Sequence, residues 1–151
     1  FQHKDIIMPA AEAPINHHQL APDLFQPLGN VSASFAGQGV DRKLLHLIDL
    51  RASQINQCAF CVKMHHREAH EAGETADRLE RLIVWRHVAD FSDAEKAALA
   101  WTEALTSLDN RQDYARLRAE LRQHYSDEQI TVMTTAIAMI NMWNRVQVSN
   151  H

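Results

Sequence analysis

Two cysteines and a histidine define the chemistry open to this chain. Cys58 and Cys61 are its only cysteines, spaced C-x-x-C, and His65 follows the second by four residues. On a helix all three share one stripe, because residues three and four apart are neighbours. Two sulfurs able to close a short-loop disulfide, with a base beside them, make a redox site. The thiolate is the reactive form, and a free thiol with a pKa of about 8.5 is mostly protonated at neutral pH. Three features favour thiolate here. The cysteines fall at an expected helix N-terminus, where the dipole favours negative charge. His65 can take the Cys61 proton. Each thiol can also hydrogen-bond the other's thiolate. Once Cys61 is oxidised to a sulfenic acid, Cys58 is near enough to condense with it into a disulfide.

The same residues allow other uses. Cys58, Cys61, His65, His66 and His70 offer five possible zinc ligands within 13 residues. A structural zinc site usually draws its second ligand pair from a distant hairpin or helix. These five lie on one local segment, so no metal is expected, and two ordinary buried cysteines are the remaining alternative. His66 and His70 lie about 100° and 140° round the helix from His65, on a solvated or subunit-facing surface. His46 lies twelve residues before Cys58, between Leu45 and Leu47. Taken alone, such a histidine is more often a hydrogen-bonded core or interface residue than a catalytic one.

The elements that must hold this site are helical. Asp41 caps a helix whose stripe is Leu44, Leu47, Ile48, Ala52 and Ile55. Asn56-Gln57 interrupts it, and a second helix runs from about Cys58 to Ala72, stopping at Gly73. Thr75 caps a third, expected to reach Val88. Ser92-Asp93-Ala94-Glu95 and Ser126-Asp127-Glu128-Gln129 are capping boxes, a serine followed three residues later by an acid or amide. They launch a helix to about Ser107 and a long apolar helix through Ile130, Met133, Ile137, Ile140, Trp143 and Val146. A shorter helix is expected from Asp113 to Tyr125. Trp85, Trp101 and Trp143 are expected in the core. Asn141 and Asn144, on an otherwise apolar helix, need buried partners.

No stretch alternates like a strand. The expected fold is all-α, a single domain of six or seven helices. Residues 1–30 are expected to form an N-terminal arm with one short helix near Ala21–Leu28, and residues 31–151 the helical domain, entered through a loop or helix end at Val31–Gly39. All four prolines lie before residue 28, so little interrupts the helices beyond it. Hydrophobic residues are 46% and charged residues 23% of 151, ordinary for a globular protein. The net charge of −4 disfavours a nucleic-acid partner, and no apolar run approaches a membrane span. Phe1-Gln2-His3-Lys4-Asp5 does not read as a signal peptide, and a cytoplasmic location is expected.

At these residues the chain resembles the carboxymuconolactone decarboxylase/AhpD-like superfamily, of the alkylhydroperoxidase D type. Leu50-Arg51-Ala52-Ser53-Gln54-Ile55-Asn56-Gln57-Cys58-Ala59-Phe60-Cys61, followed by Met64-His65, is similar to a subgroup carrying LRASQINGC-x-x-C. That subgroup also carries Ala-Gly-Glu-Thr (here Ala72 to Thr75), Trp-Arg (Trp85-Arg86), Ala-Leu-Ala-Trp (Ala98 to Trp101) and Ile-x-x-Trp-Asn-Arg (Ile140 to Arg145). The likeness covers roughly residues 40 to 148.

The resemblance implies an all-α AhpD-like bundle assembled as a homo-oligomer, a trimer or hexamer. It implies a thiol-dependent peroxidase or disulfide oxidoreductase acting on hydroperoxides. No cofactor is expected beyond the redox-active cysteine pair, reduced by an external dithiol protein or lipoyl-type partner. Cys61 would be the peroxidatic cysteine, Cys58 its resolving partner and His65 the proton-relay histidine. The family's relay glutamate falls at His46, where a cationic histidine would favour thiolate. Phe60 stands where the best-known peroxidase members carry a histidine, and Gln57 where a glycine is usual. These departures bear on alkyl-hydroperoxide reduction and leave general thiol redox chemistry intact. The competing expectation is a non-catalytic oligomeric module that senses oxidation or binds metal.

Overall fold

Capping and periodicity produce the expected helices almost throughout. A computed structural model describes residues 7–151; the first six positions of the expected arm lie outside the described residues. Among the described residues there are eight α-helices and no strand. They are α1 (His17–Leu20), α2 (Pro22–Ser34), α3 (Arg42–Ile55), α4 (Ala59–Glu71), α5 (Ala76–Arg81), α6 (Asp93–Ser107), α7 (Tyr114–Arg122) and α8 (Asp127–Val148). The count exceeds the expected six or seven through the single turn of α1. Asp41, Thr75 and Asp113 each cap their helix through a side-chain oxygen, and both serine capping boxes close in full.

Helix α3 is the hub, packed against α4, α6 and α8. Its Leu47 and Leu50 join a cluster with Ala69, Leu79, Leu82, Trp85, Phe91 and Leu99. Its Leu44 and Ile48 join a second with Ala98, Trp101, Leu121, Met133 and Ile137. With two faces buried, α3 has one stripe left. Arg42, Leu45, His46 and Asp49 occupy it at helical spacing and line a cavity.

Two helices differ from expectation. Helix α2 is longer than the short helix expected near Ala21–Leu28: it runs through Pro27 and ends at Ser34, inside the Val31–Gly39 stretch where a loop or helix end was expected. Local periodicity is weak there because none of its residues is buried; contacts with α8 hold it. Trp143 Nε1 donates to Ser32 Oγ at 2.9 Å, and the Trp143 ring faces Phe25 and His18. Trp143 therefore belongs to this junction and the cavity wall, whereas Trp85 and Trp101 are core residues. The second difference follows α5, which ends at Arg81 instead of reaching Val88. A 3-10 segment, Leu82–His87, takes over, with Val84 outside helical geometry. Leu82 and Trp85 are both buried. A three-residue turn brings residues i and i+3 onto one line, so it serves that pair better than a 3.6-residue turn.

Motif residues distant in sequence meet at Glu103. Arg51 Nε and Trp85 Nε1 donate to Glu103 Oε1 at 2.9 and 2.8 Å, and Arg86 pairs with Oε2. Arg86 also lies over the Trp85 ring, 4.2 Å from its centroid.

Candidate active site

The site begins at the break between α3 and α4. Gln57 adopts a left-handed conformation, φ 53°, which turns the chain sharply after Asn56. Asn56 is held there by α8: its Nδ2 donates to Oδ1 of both Asn141 and Asn144, each at 2.9 Å. Asn144 Nδ2 reaches back to Ser53 Oγ at 2.9 Å, and Asn141 Nδ2 donates to Thr106 Oγ1 at 3.1 Å. The unexpected amides of α8 thus clamp the turn that presents the cysteines. A buried polar network of this kind fixes position because every member is satisfied.

Cys58 is the N-cap of α4. Its sulfur accepts from the Cys61 amide at 3.3 Å and is bonded covalently to Cys61. Both cysteines are buried, but only Cys61 lines the cavity between α2, α3, α4 and α8, about 1130 Å³ in volume. Cys58 lies behind it. The α4 stripe Cys61, Met64, His65 and Glu68 faces the α3 stripe Arg42, Leu45, His46 and Asp49 across this cavity. Phe25, Phe35, Phe60, Met139, Ile140 and Trp143 supply apolar walls.

His65 is 7% exposed. Its Nδ1 lies 3.0 Å from Glu68 Oε2 and 4.0 Å from Asp49 Oδ2, while its Nε2 is buried without a partner. A carboxylate on Nδ1 holds the proton there and leaves the Nε2 lone pair free as a base. Burial pushes the His65 pKa below its ordinary 6.5, with the Glu68 contact opposing, so the free base predominates at neutral pH.

His46 lines the same cavity. Its Nδ1 is 3.8 Å from Glu68 Oε2, beyond hydrogen-bond reach, and neither ring nitrogen has a partner. Burial lowers its pKa, Glu68 opposes, and the charges of Arg42 and His65 lower it further. At neutral pH His46 is therefore the neutral imidazole, not a cation beside the thiols.

Asp49 has a quarter of its side chain open to the cavity, yet the carboxyl sits deep among protein atoms. That depth, then the charge of Glu68, raises its pKa well above the usual carboxylate range. Asp49 and Glu68 were not among the sequence-expected site residues. The available signal was spacing: each lies three residues after a candidate histidine, on the same helix face. Among the described residues, no group of three or more His, Cys, Asp or Glu side chains is arranged to hold a metal ion. No described helix is long and apolar enough to cross a membrane.

Known proteins share this architecture. The carboxymuconolactone decarboxylase family matches residues 21–104. YdfG of Bacillus subtilis (strain 168), an uncharacterised protein, is 31% identical over 135 residues, covering 89% of this chain and 92% of YdfG. The uncharacterised YnjA of Escherichia coli (strain K12) is 30% identical over 103 residues, 68% of this chain and 56% of YnjA. Among solved structures, ATU0492 of Agrobacterium tumefaciens superposes with a TM-score of 0.84 at 35% identity, over 91% of this chain and 94% of that one. It is a protein of unknown function for which an AhpD antioxidant-defence role has been put forward. The debrominase Bmp8, in complex with 2,3,4-tribromopyrrole, shares the fold with a TM-score of 0.78 at 20% identity, over 87% of this chain and 70% of Bmp8. The matched motifs, the all-α architecture and these relatives agree: the chain belongs to the carboxymuconolactone decarboxylase/AhpD-like superfamily.

Proposed function

We propose that this protein is a thiol-dependent peroxidase and disulfide oxidoreductase that reduces organic hydroperoxides through Cys58 and Cys61. The observation that carries this reading is the placement of Cys61. It is the cavity-lining member of the pair, in one cavity with a histidine whose Nδ1 is tied to Glu68 and whose Nε2 is free.

In the reduced enzyme His65 Nε2 takes the Cys61 proton. The Cys61 thiolate attacks the terminal peroxide oxygen. The S–O bond forms, the O–O bond breaks, and the leaving alkoxide takes up a proton to depart as the alcohol. Cys58 then attacks the sulfenic sulfur, releasing water and closing the disulfide. An external dithiol, on a protein or a lipoyl-type group, reopens it by attacking Cys61 from the cavity. Cys58 is the leaving thiolate in that exchange, and the Cys61 amide and the α4 N-terminus support its charge.

Cavity size and lining favour a bulky apolar hydroperoxide over hydrogen peroxide. Halogenated aromatics are the second substrate class to assay, because the lining is rich in aromatic side chains and a fold relative, Bmp8, binds a tribromopyrrole. A trimeric or hexameric assembly and a cytoplasmic location complete the proposal. A reducing compartment keeps such a pair cycling, and apolar side chains such as Leu20, Leu24 and Ile83 remain exposed on the single chain.

The test is cumene hydroperoxide consumption with a dithiol reductant, in wild type and Cys61→Ser. Loss of turnover in the variant is expected. Unchanged consumption would refute the assignment of Cys61. Slow wild-type turnover with a stable, reversible disulfide would make the protein a redox-sensing module, and a stoichiometric bound metal would make it a metal-binding one.

A further inference from the structure

We infer that Asp49 is the general acid of the peroxide-cleaving step, protonating the alkoxide that leaves when Cys61 breaks the O–O bond. This rests on the peroxidase reading above and assigns a residue to a proton that reading leaves without a donor. An alkoxide is a poor leaving group, and a positioned acid that protonates it as the O–O bond breaks speeds its departure.

The geometry singles out Asp49. It shares the cavity-facing stripe of α3 with His46, and its carboxyl shares the cavity with Cys61 and His65. Asp49 and Glu68 converge on one atom, His65 Nδ1, at 4.0 and 3.0 Å. A neutral imidazole has one Nδ1 proton, and Glu68 takes it. Among the described residues Asp49 has no hydrogen-bond donor and no cationic partner nearer than that ring. A carboxyl without donors, deep in a cavity and beside a second carboxylate, stays protonated. The other titratable groups lining the cavity are His18 from α1, Arg42 and His46 from α3, and Glu71 from α4; α2 and α8 contribute none. Arg42 is the one fixed cation among them and is exposed at the rim.

Proton and electron accounting then closes. The Cys61 proton moves to His65 Nε2. The thiolate forms the S–O bond, and the O–O electron pair leaves with the alkoxide. Asp49 gives that alkoxide its proton and becomes a carboxylate. The His65 imidazolium then returns one proton to Asp49 across a gap that a shift of about 1 Å turns into a hydrogen bond. The net change is Cys61 thiol plus hydroperoxide giving Cys61 sulfenic acid plus alcohol, with Asp49 reprotonated and His65 neutral again, its proton left on Nε2 until tautomer exchange returns it to Nδ1 beside Glu68.

Leaving-group dependence tests this. Reduced wild type and Asp49→Asn are each reacted in single turnover with tert-butyl hydroperoxide, with peracetic acid and with iodoacetamide. Peracetic acid expels acetate, which needs no proton, and iodoacetamide reports thiolate reactivity alone. The expected result is a loss of about 10²- to 10⁴-fold against tert-butyl hydroperoxide, with the other two rates changed less than about threefold. Equal slowing of all three would show that Asp49 acts on the thiolate or on the fold, and would overturn the inference. Unchanged rates with all three would overturn it as well, while leaving the peroxidase reading intact. A wild type inert to tert-butyl hydroperoxide but alkylated normally would overturn both.

Discussion

Glu68 Oε2 lies 3.0 Å from His65 Nδ1, one helical turn along α4. That contact keeps His65 from becoming a still weaker base, since burial lowers its pKa and Glu68 raises it. Glu68→Gln is therefore expected to lower the His65 pKa further and to release its tautomer. NMR titration of the imidazole, in the disulfide form, reads the first effect. In the reduced protein, Cys61 alkylation at pH 7 should slow on the order of tenfold, as part of what a positioned base contributes is lost. Unchanged alkylation in the variant would place the base elsewhere.

Gln57 occupies a left-handed conformation at the turn before the cysteines. For an L-residue other than glycine this conformation costs about 1–2 kcal/mol. Gln57→Gly removes the strain and adds unfolded-chain entropy, so a net gain of about 1 kcal/mol is expected, read by urea denaturation. A loss of stability would mean that the Gln57 side chain makes contacts worth more than the strain.

Glu103 binds Arg51, Trp85 and Arg86 together. Burial alone would raise its pKa, but the hydrogen bonds from Trp85, Arg86 and Arg51 outweigh it and hold the pKa below 4.5. A depressed carboxyl contributes stability above its unfolded pKa and loses it as pH falls through the folded value. Glu103→Gln should cost about 2 kcal/mol at pH 7, and the difference from wild type should shrink toward pH 3. A cost independent of pH would assign the effect to packing.

The Asp49 linkage has the opposite sign. Its folded pKa is raised, so the folded state holds a proton that the unfolded chain releases above about pH 3.8. Stability from this group is full below that pH and declines at about 1.4 kcal/mol per pH unit as pH rises toward the folded pKa. Asp49→Asn should therefore raise Tm at pH 8 and leave it nearly unchanged at pH 3.5. A lowered Tm at pH 8 would show that the ionised carboxylate stabilises the fold.

Cavity volume should govern substrate choice. Ala33 of α2 lines the cavity on its exposed side, so Ala33→Trp narrows it without disturbing the core. KM for cumene hydroperoxide is expected to rise about tenfold, with little change in the rate toward hydrogen peroxide. Equal effects on both would mean that peroxides reach Cys61 by another route.

The caps at Asp41, Thr75, Ser92 and Ser126, the apolar stripes of α3 and α8, and the C-x-x-C-x-x-x-His segment at the head of α4 were all legible in the sequence. Each is a local code: a side-chain oxygen meets an amide two or three residues on, or apolar positions recur every turn. The helical run of α2 through Pro27, the 3-10 segment after Arg81 and the position of Trp143 in the cavity wall were not legible. They depend on contacts between residues far apart, such as Trp143 with Ser32, 111 positions apart. The same division holds in the site. Chain order alone brings Cys58, Cys61 and His65 together, because they share one helix. Only tertiary structure decides that Cys61 rather than Cys58 meets the cavity, and that His46 and Asp49 of α3 face His65 and Glu68 of α4. The physical reason is burial. Two faces of α3 are taken up by the two hydrophobic clusters, and the stripe that remains carries its titratable side chains His46 and Asp49 into the cavity.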